Sequence, residues 1–105
     1  MQHVNDHTFK TEVLESPHPV LVMFYADWCS KCAMMKPIVE DLETVYAGKY
    51  KFCSVDIEES THLSSEYESD LVPAFVFFCD GVPIAGFEGL VSEDIFEVRL
   101  LEIFE

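Results

Sequence analysis

The sequence predicts an α/β fold built on a mixed β-sheet. Strand-like apolar runs alternate with helix-period stretches through the first part of the 105 residues. Two further strand-like runs then flank Asp80-Gly81, a two-residue hairpin signal, and a closing amphipathic stretch follows. The length suits one domain, and a chain that is 50% hydrophobic supplies one substantial core. Residues 1–105 are therefore expected to form a single domain, with no internal repeat, linker or low-complexity segment.

The elements follow in order. Asn5 or Asp6 caps a short first helix with Phe9 and Val13 on one face, ending near Ser16-Pro17. Val20 to Tyr25 is a continuous apolar run, the mark of a central strand covered on both faces. Helical spacing of Met35, Ile38, Val39, Leu42, Val45 and Tyr46 predicts a helix from the Cys29–Cys32 pair to about Ala47, kinked at Pro37, which has no N–H. Tyr50 to Ile57 reads as a strand, and Leu63 with Tyr67 as a short helix. Ala74 to Cys79 and Val82 to Phe87 form the hairpin arms, and Ser92 caps a last helix to about Phe104. That last helix is apolar almost all round, so most of it belongs in the core and any exposed remainder marks a contact surface.

Charge narrows the function. The net charge of −14 opposes nucleic acid and anionic membrane as partners, and no apolar run reaches transmembrane length. The acidity is concentrated: residues 1–56 hold eight acids against five lysines, whereas residues 57–105 hold twelve acids against Arg99 alone. This predicts a solvated acidic face, or a docking face for a basic partner. Met1 to Asp6 lacks a basic segment followed by an apolar core, so a cytoplasmic location is expected. There, C-x-x-C pairs serve redox chemistry or metal binding more often than structural disulfides.

Trp28-Cys29-Ser30-Lys31-Cys32 carries the chemistry. A strand that delivers two cysteines to a helix start places the first where free backbone N–H groups and the positive end of the helix dipole favour a thiolate, the reacting species. Lys31 adds a positive charge beside it. Cys29 is thus the candidate nucleophile, and Cys32, three residues on and more buried, is placed to resolve a mixed disulfide within the chain. Cys53 and Cys79 lie in predicted strands and read as buried small hydrophobes, with a regulatory second disulfide or a partner-linking thiol as the alternative. His3, His7, His18 and His62 show no metal-ligand spacing with the one C-x-x-C, so neither metal nor cofactor is expected. The histidines read as surface or turn residues.

The segment Phe24 to Cys32 resembles the active-site segment of the thioredoxin family. Pro37 stands at that family's helix-kinking proline, Val72-Pro73 resembles its cis-proline loop, and Gly81 and Gly89 fall at matching places. The likeness covers essentially the whole chain. It implies a thioredoxin fold, with a central mixed sheet of about five strands and about four helices, and protein-disulfide oxidoreductase activity. It also implies a cis Pro73 and a substrate-docking surface made by Trp28, Val72, Pro73, Gly89 and Leu90. Implied partners are disulfide-containing protein substrates and a thioredoxin reductase or equivalent electron donor, with the protein acting as a monomer.

Departures from the family pattern concern redox tuning. The family's Gly-Pro between the cysteines is Ser30-Lys31 here, and a cation near Cys29 is expected to stabilise the thiolate and make the pair a stronger oxidant. Met23 occupies the place of the family's buried aspartate, and Ser54 aligns with a nearby lysine. Methionine takes no proton, so slower release of the mixed disulfide is expected near neutral pH. The resulting expectation is a disulfide reductase. The alternatives are an oxidant or isomerase on the same pair, and a binding or adaptor protein with weak turnover.

Overall fold

A computed structural model describes all 105 residues. Its centre is a five-stranded sheet of β1 (Gln2–His3), β2 (Val20–Tyr25), β3 (Lys51–Asp56), β4 (Ala74–Cys79) and β5 (Val82–Glu88) in the order β1-β3-β2-β4-β5. The first three strands in that order run parallel; β4 is antiparallel to β2, and β5 to β4. The helices are a π-helix at Lys10–Leu14, α1 (Ser30–Val45), α2 (Thr61–Glu66) and α3 (Glu93–Phe104). The molecule is an α/β thioredoxin fold.

Strand β2 explains its own apolar run. Side chains alternate across a strand, and here Leu21 and Met23 pack with Met35, Val39 and Leu42 of α1 and with Phe96 and Leu100 of α3. Val20, Val22 and Phe24 face the other way, against Phe9, Val13, Leu63 and Phe78. Both faces are covered, which is why the run is apolar throughout.

Two elements differ from the sequence expectation. Strand β1 was not foreseen; two residues carry no periodicity. The first helix is a π-turn, with the Glu15 N–H donating to the Lys10 carbonyl at 2.9 Å. Asn5 does cap the preceding turn, its Oδ1 accepting from His7 and Thr8 at 2.9 and 3.1 Å, whereas Asp6 accepts from Leu63 of α2 at 3.2 Å. In α3 Phe96 and Leu100 are buried and Ile103 and Phe104 pack against the same core, as expected, while Ile95 and Val98 are the exposed remainder. In helix α1, which holds Pro37 within its span, the last residue Val45 is exposed rather than inward. At the hairpin, Asp80 and Gly81 both have positive φ, 53° and 77°, as a tight primed turn requires.

Candidate active site

Strand β2 ends at Tyr25, and four residues later the chain enters α1. The entry residue is Cys29, whose extended backbone makes it the N-cap: its Sγ accepts the Cys32 N–H at 3.1 Å. A sulfur in place of the usual cap oxygen is thereby held on the free donors of the first turn. The Cys29 thiol in turn donates to the Val72 carbonyl at 3.6 Å. The Val72-Pro73 bond is cis, and the Pro73 carbonyl accepts the Gly89 N–H at 2.9 Å. One hydrogen-bonded line thus joins α1, the Val72-Pro73 loop and the start of the Gly89-Leu90 segment.

Around this line the polarity is uneven. Trp28 is 67% exposed and Leu71 64%, with Leu90 and Met34 also open to solvent, whereas Cys29 and Cys32 are 8% and 4% exposed. Trp28 is thus more open than a core tryptophan. Ser30 and Lys31 are exposed, and Lys31 makes no ion pair.

Burial, and after it the hydrogen bond to Cys29, pushes the Cys32 thiol up to about 12. Met23 packs against it, in register with Ser54 on β3, so neither a carboxylate nor a lysine stands at these two places. A cavity of about 410 Å³ opens there, lined among others by Met23, Cys32, Ser54, His3, Asp27 and Lys36. His3, an isolated surface histidine in the sequence, reaches this place only through the two-residue β1.

Elsewhere, Cys53 is fully buried in β3 and burial pushes its thiol up to about 11, as suits an inert core residue. Cys79, at the end of β4, is only partly buried, which departs from the reading of it as core. No group of three or more His, Cys, Asp or Glu side chains is placed to hold a metal ion. The arrangement suits exchange between a capped, partly accessible sulfur and an enclosed partner three residues away.

Comparison with known proteins agrees with this geometry. The family model described as Thioredoxin matches residues 1–100. The chain is similar to a thioredoxin of Rickettsia felis, 40% identical over 79 residues that make up 75% of each chain. It is similar to thioredoxin 1 of a Nostoc species, 39% identical over 90 residues, 86% of this chain and 84% of that one. It is also similar to the chloroplastic thioredoxin M4 of Arabidopsis thaliana, 37% identical over 95 residues, 90% of this chain and 49% of the other.

Proposed function

The chain belongs to the thioredoxin family and is a thiol-disulfide oxidoreductase, and we propose that it reduces protein disulfides through Cys29 and Cys32 as one domain over residues 1–105. The Cys29 thiolate attacks one sulfur of a substrate disulfide. A mixed disulfide forms, and the other substrate sulfur leaves as a thiolate that takes up a proton. Cys32 then loses its proton and attacks Cys29 Sγ; the Cys29–Cys32 bond forms and the substrate departs with both sulfurs reduced. Two electrons have left the protein, and an external reductase returns them.

The observation that carries this reading is Cys29 as a sulfur N-cap, 3.1 Å from the Cys32 N–H and beside the Val72 carbonyl. Trp28, Val72, Gly89 and Leu90 supply the docking surface, with Pro73 buried beneath it, and a substrate strand pairs with the Val72 backbone. Ser30 and Lys31 set the redox poise, and Met23 slows resolution. The protein works as a monomer in the cytoplasm or another reducing compartment; no helix is long and apolar enough to cross a membrane.

Two measurements test this. With insulin as the disulfide substrate, Cys32→Ser is expected to accumulate a covalent adduct through Cys29, and Cys29→Ser none; adducts on Cys53 or Cys79 instead overturn the assignment. A potential of the pair in glutathione buffers near thioredoxin's about −270 mV supports a reductant, whereas a value near about −180 mV assigns an oxidant or isomerase. A pair that forms no reversible disulfide identifies an adaptor.

A further inference from the structure

We propose that His3, held by Glu59 at the rim of the cavity behind Cys32, accepts the proton of the resolving thiol, with the Ser54 hydroxyl and cavity water as the relay. This rests on Cys32 being the resolving thiol.

The placement comes from strand register. His3 of β1 pairs with Ser54 of β3, and Met23 of β2 pairs with the same Ser54. Paired residues of neighbouring strands point to one face, with strands about 4.8 Å apart. His3, Ser54 and Met23 therefore form a single row under α1, on the face where Met23 packs with Cys32. All four residues line the same cavity. Its volume, about 410 Å³, exceeds many times the roughly 30 Å³ that a water occupies in the liquid, and its polar rim supplies partners. Ser54 is partly buried, and its hydroxyl bonds to no other side chain, so it is free to pass a proton along the row.

The other groups facing the cavity are poorer acceptors. Lys36 is a cation, and the Met1 ammonium is tied to Glu43 at 2.8 Å. Burial and nearby carboxylates raise the Tyr25 phenol, so it stays protonated. Asp27 and Glu40 are carboxylates, whose ordinary basicity lies about four units below a thiol's. An imidazole is matched to proton transfer near neutral pH. His3 also has an orienting partner: Nε2 lies 2.7 Å from Glu59 Oε1. In the neutral ring Nε2–H donates to that carboxylate, which leaves Nδ1 as the lone-pair atom and stabilises the imidazolium formed after transfer.

In the step itself, the Cys32 S–H bond breaks, and its proton passes through water and the Ser54 hydroxyl to His3 Nδ1. The Cys32 thiolate attacks Cys29 Sγ, the Cys29–Cys32 bond forms, and the bond to the substrate sulfur breaks. The substrate thiolate takes a proton from solvent, and the imidazolium later loses its own.

The test uses the full chain with its Cys29 joined to glutathione at low pH. After a jump to pH 5 through 9, glutathione release is followed by acid quench and mass. The wild-type rate is expected to rise through an inflection between about pH 5 and 8, the range of an imidazole. His3→Gln is expected to lose that inflection and to slow release about tenfold at pH 7, with imidazole buffer restoring the rate. Ser54→Ala slows release without moving the inflection. Glu59→Gln is expected to slow release at pH 7 because the imidazole loses its orienting partner, with imidazole buffer restoring the rate; a purely structural role for the pair gives no such rescue. An unchanged profile in His3→Gln, or an inflection removed by Asp27→Asn instead, overturns the proposal. No release at any pH overturns Cys32 as the resolving thiol, and this proposal with it.

Discussion

Cys32 must act as a nucleophile from a place where burial opposes its ionisation. Its thiol is pushed up to about 12, so at neutral pH a very small fraction is thiolate unless a base takes the proton during attack. Met23→Asp tests this from the apolar side of the cavity. A carboxylate held there acquires a raised pKa and becomes a base near neutral pH, so release of the mixed disulfide at pH 7 is expected to accelerate several-fold, read by acid quench and mass. The cost falls on stability, of order 1–3 kcal/mol for a poorly paired buried polar group. The sign follows from the raised folded pKa: the protonated form is favoured, so the variant loses least at pH 4 and progressively more as pH rises, which denaturant titration at the two pH values checks. At this scale the cysteine pair was legible because its chemistry is contained in five consecutive residues. Ser54 beside Met23 was legible through the family likeness and is confirmed in register. His3 was not, since its place depends on a cross-strand pairing that no local pattern encodes.

Two serines show how elements are set. Ser92 precedes α3, and its Oγ accepts the Ile95 N–H at 3.3 Å; Ser60 precedes α2 but makes no cap, and its hydroxyl is fully buried without a partner. Ser92→Ala is expected to cost about 1 kcal/mol. Ser60→Ala is expected to be neutral or stabilising by up to about 1 kcal/mol, because it removes a desolvated hydroxyl that gains nothing in return. Thermal denaturation distinguishes the two; equal losses contradict the capping difference. The hairpin offers a second contrast. A Cβ at Gly81 meets the Leu14 carbonyl oxygen at 2.6 Å with φ at +77°, whereas Gly89, at φ +102°, has nothing within 4 Å. Gly81→Ala is therefore expected to cost about 2 kcal/mol or more, strain plus clash, and Gly89→Ala only the backbone strain, about 1 kcal/mol. Long periodic elements and the Asp80-Gly81 turn were legible because their signals are local. The π-turn at Lys10–Leu14 was read as an ordinary helix, since a single wide turn buries Phe9 and Val13 as a helix does.

For the whole molecule, charge is the dominant unbalanced term. Of the six Lys and Arg side chains, only Lys49 and Lys51 form ion pairs, with Glu105 and Glu12; Arg99 instead stacks over Phe87 at 4.5 Å. The net charge is −14, so the folded chain repels itself, and few attractive pairs are available for salt to weaken. Raising ionic strength from about 10 mM to about 0.2 M shortens the Debye length from about 30 Å to under 10 Å, which removes long-range repulsion while leaving contacts at 3 Å less affected. Stability is therefore expected to rise, by a few degrees in Tm for a gain of about 1 kcal/mol. A Tm that falls with added NaCl means instead that the Lys51–Glu12 and Lys49–Glu105 pairs outweigh the net repulsion. The same field acts on approaching substrates: disulfide peptides flanked by Lys or Arg should react with Cys29 faster than acidic ones at low salt, and the difference should shrink as salt is added. An acidic face that serves only solubility produces the first salt effect without the second, so the pair of measurements separates a solvated surface from one that selects basic partners.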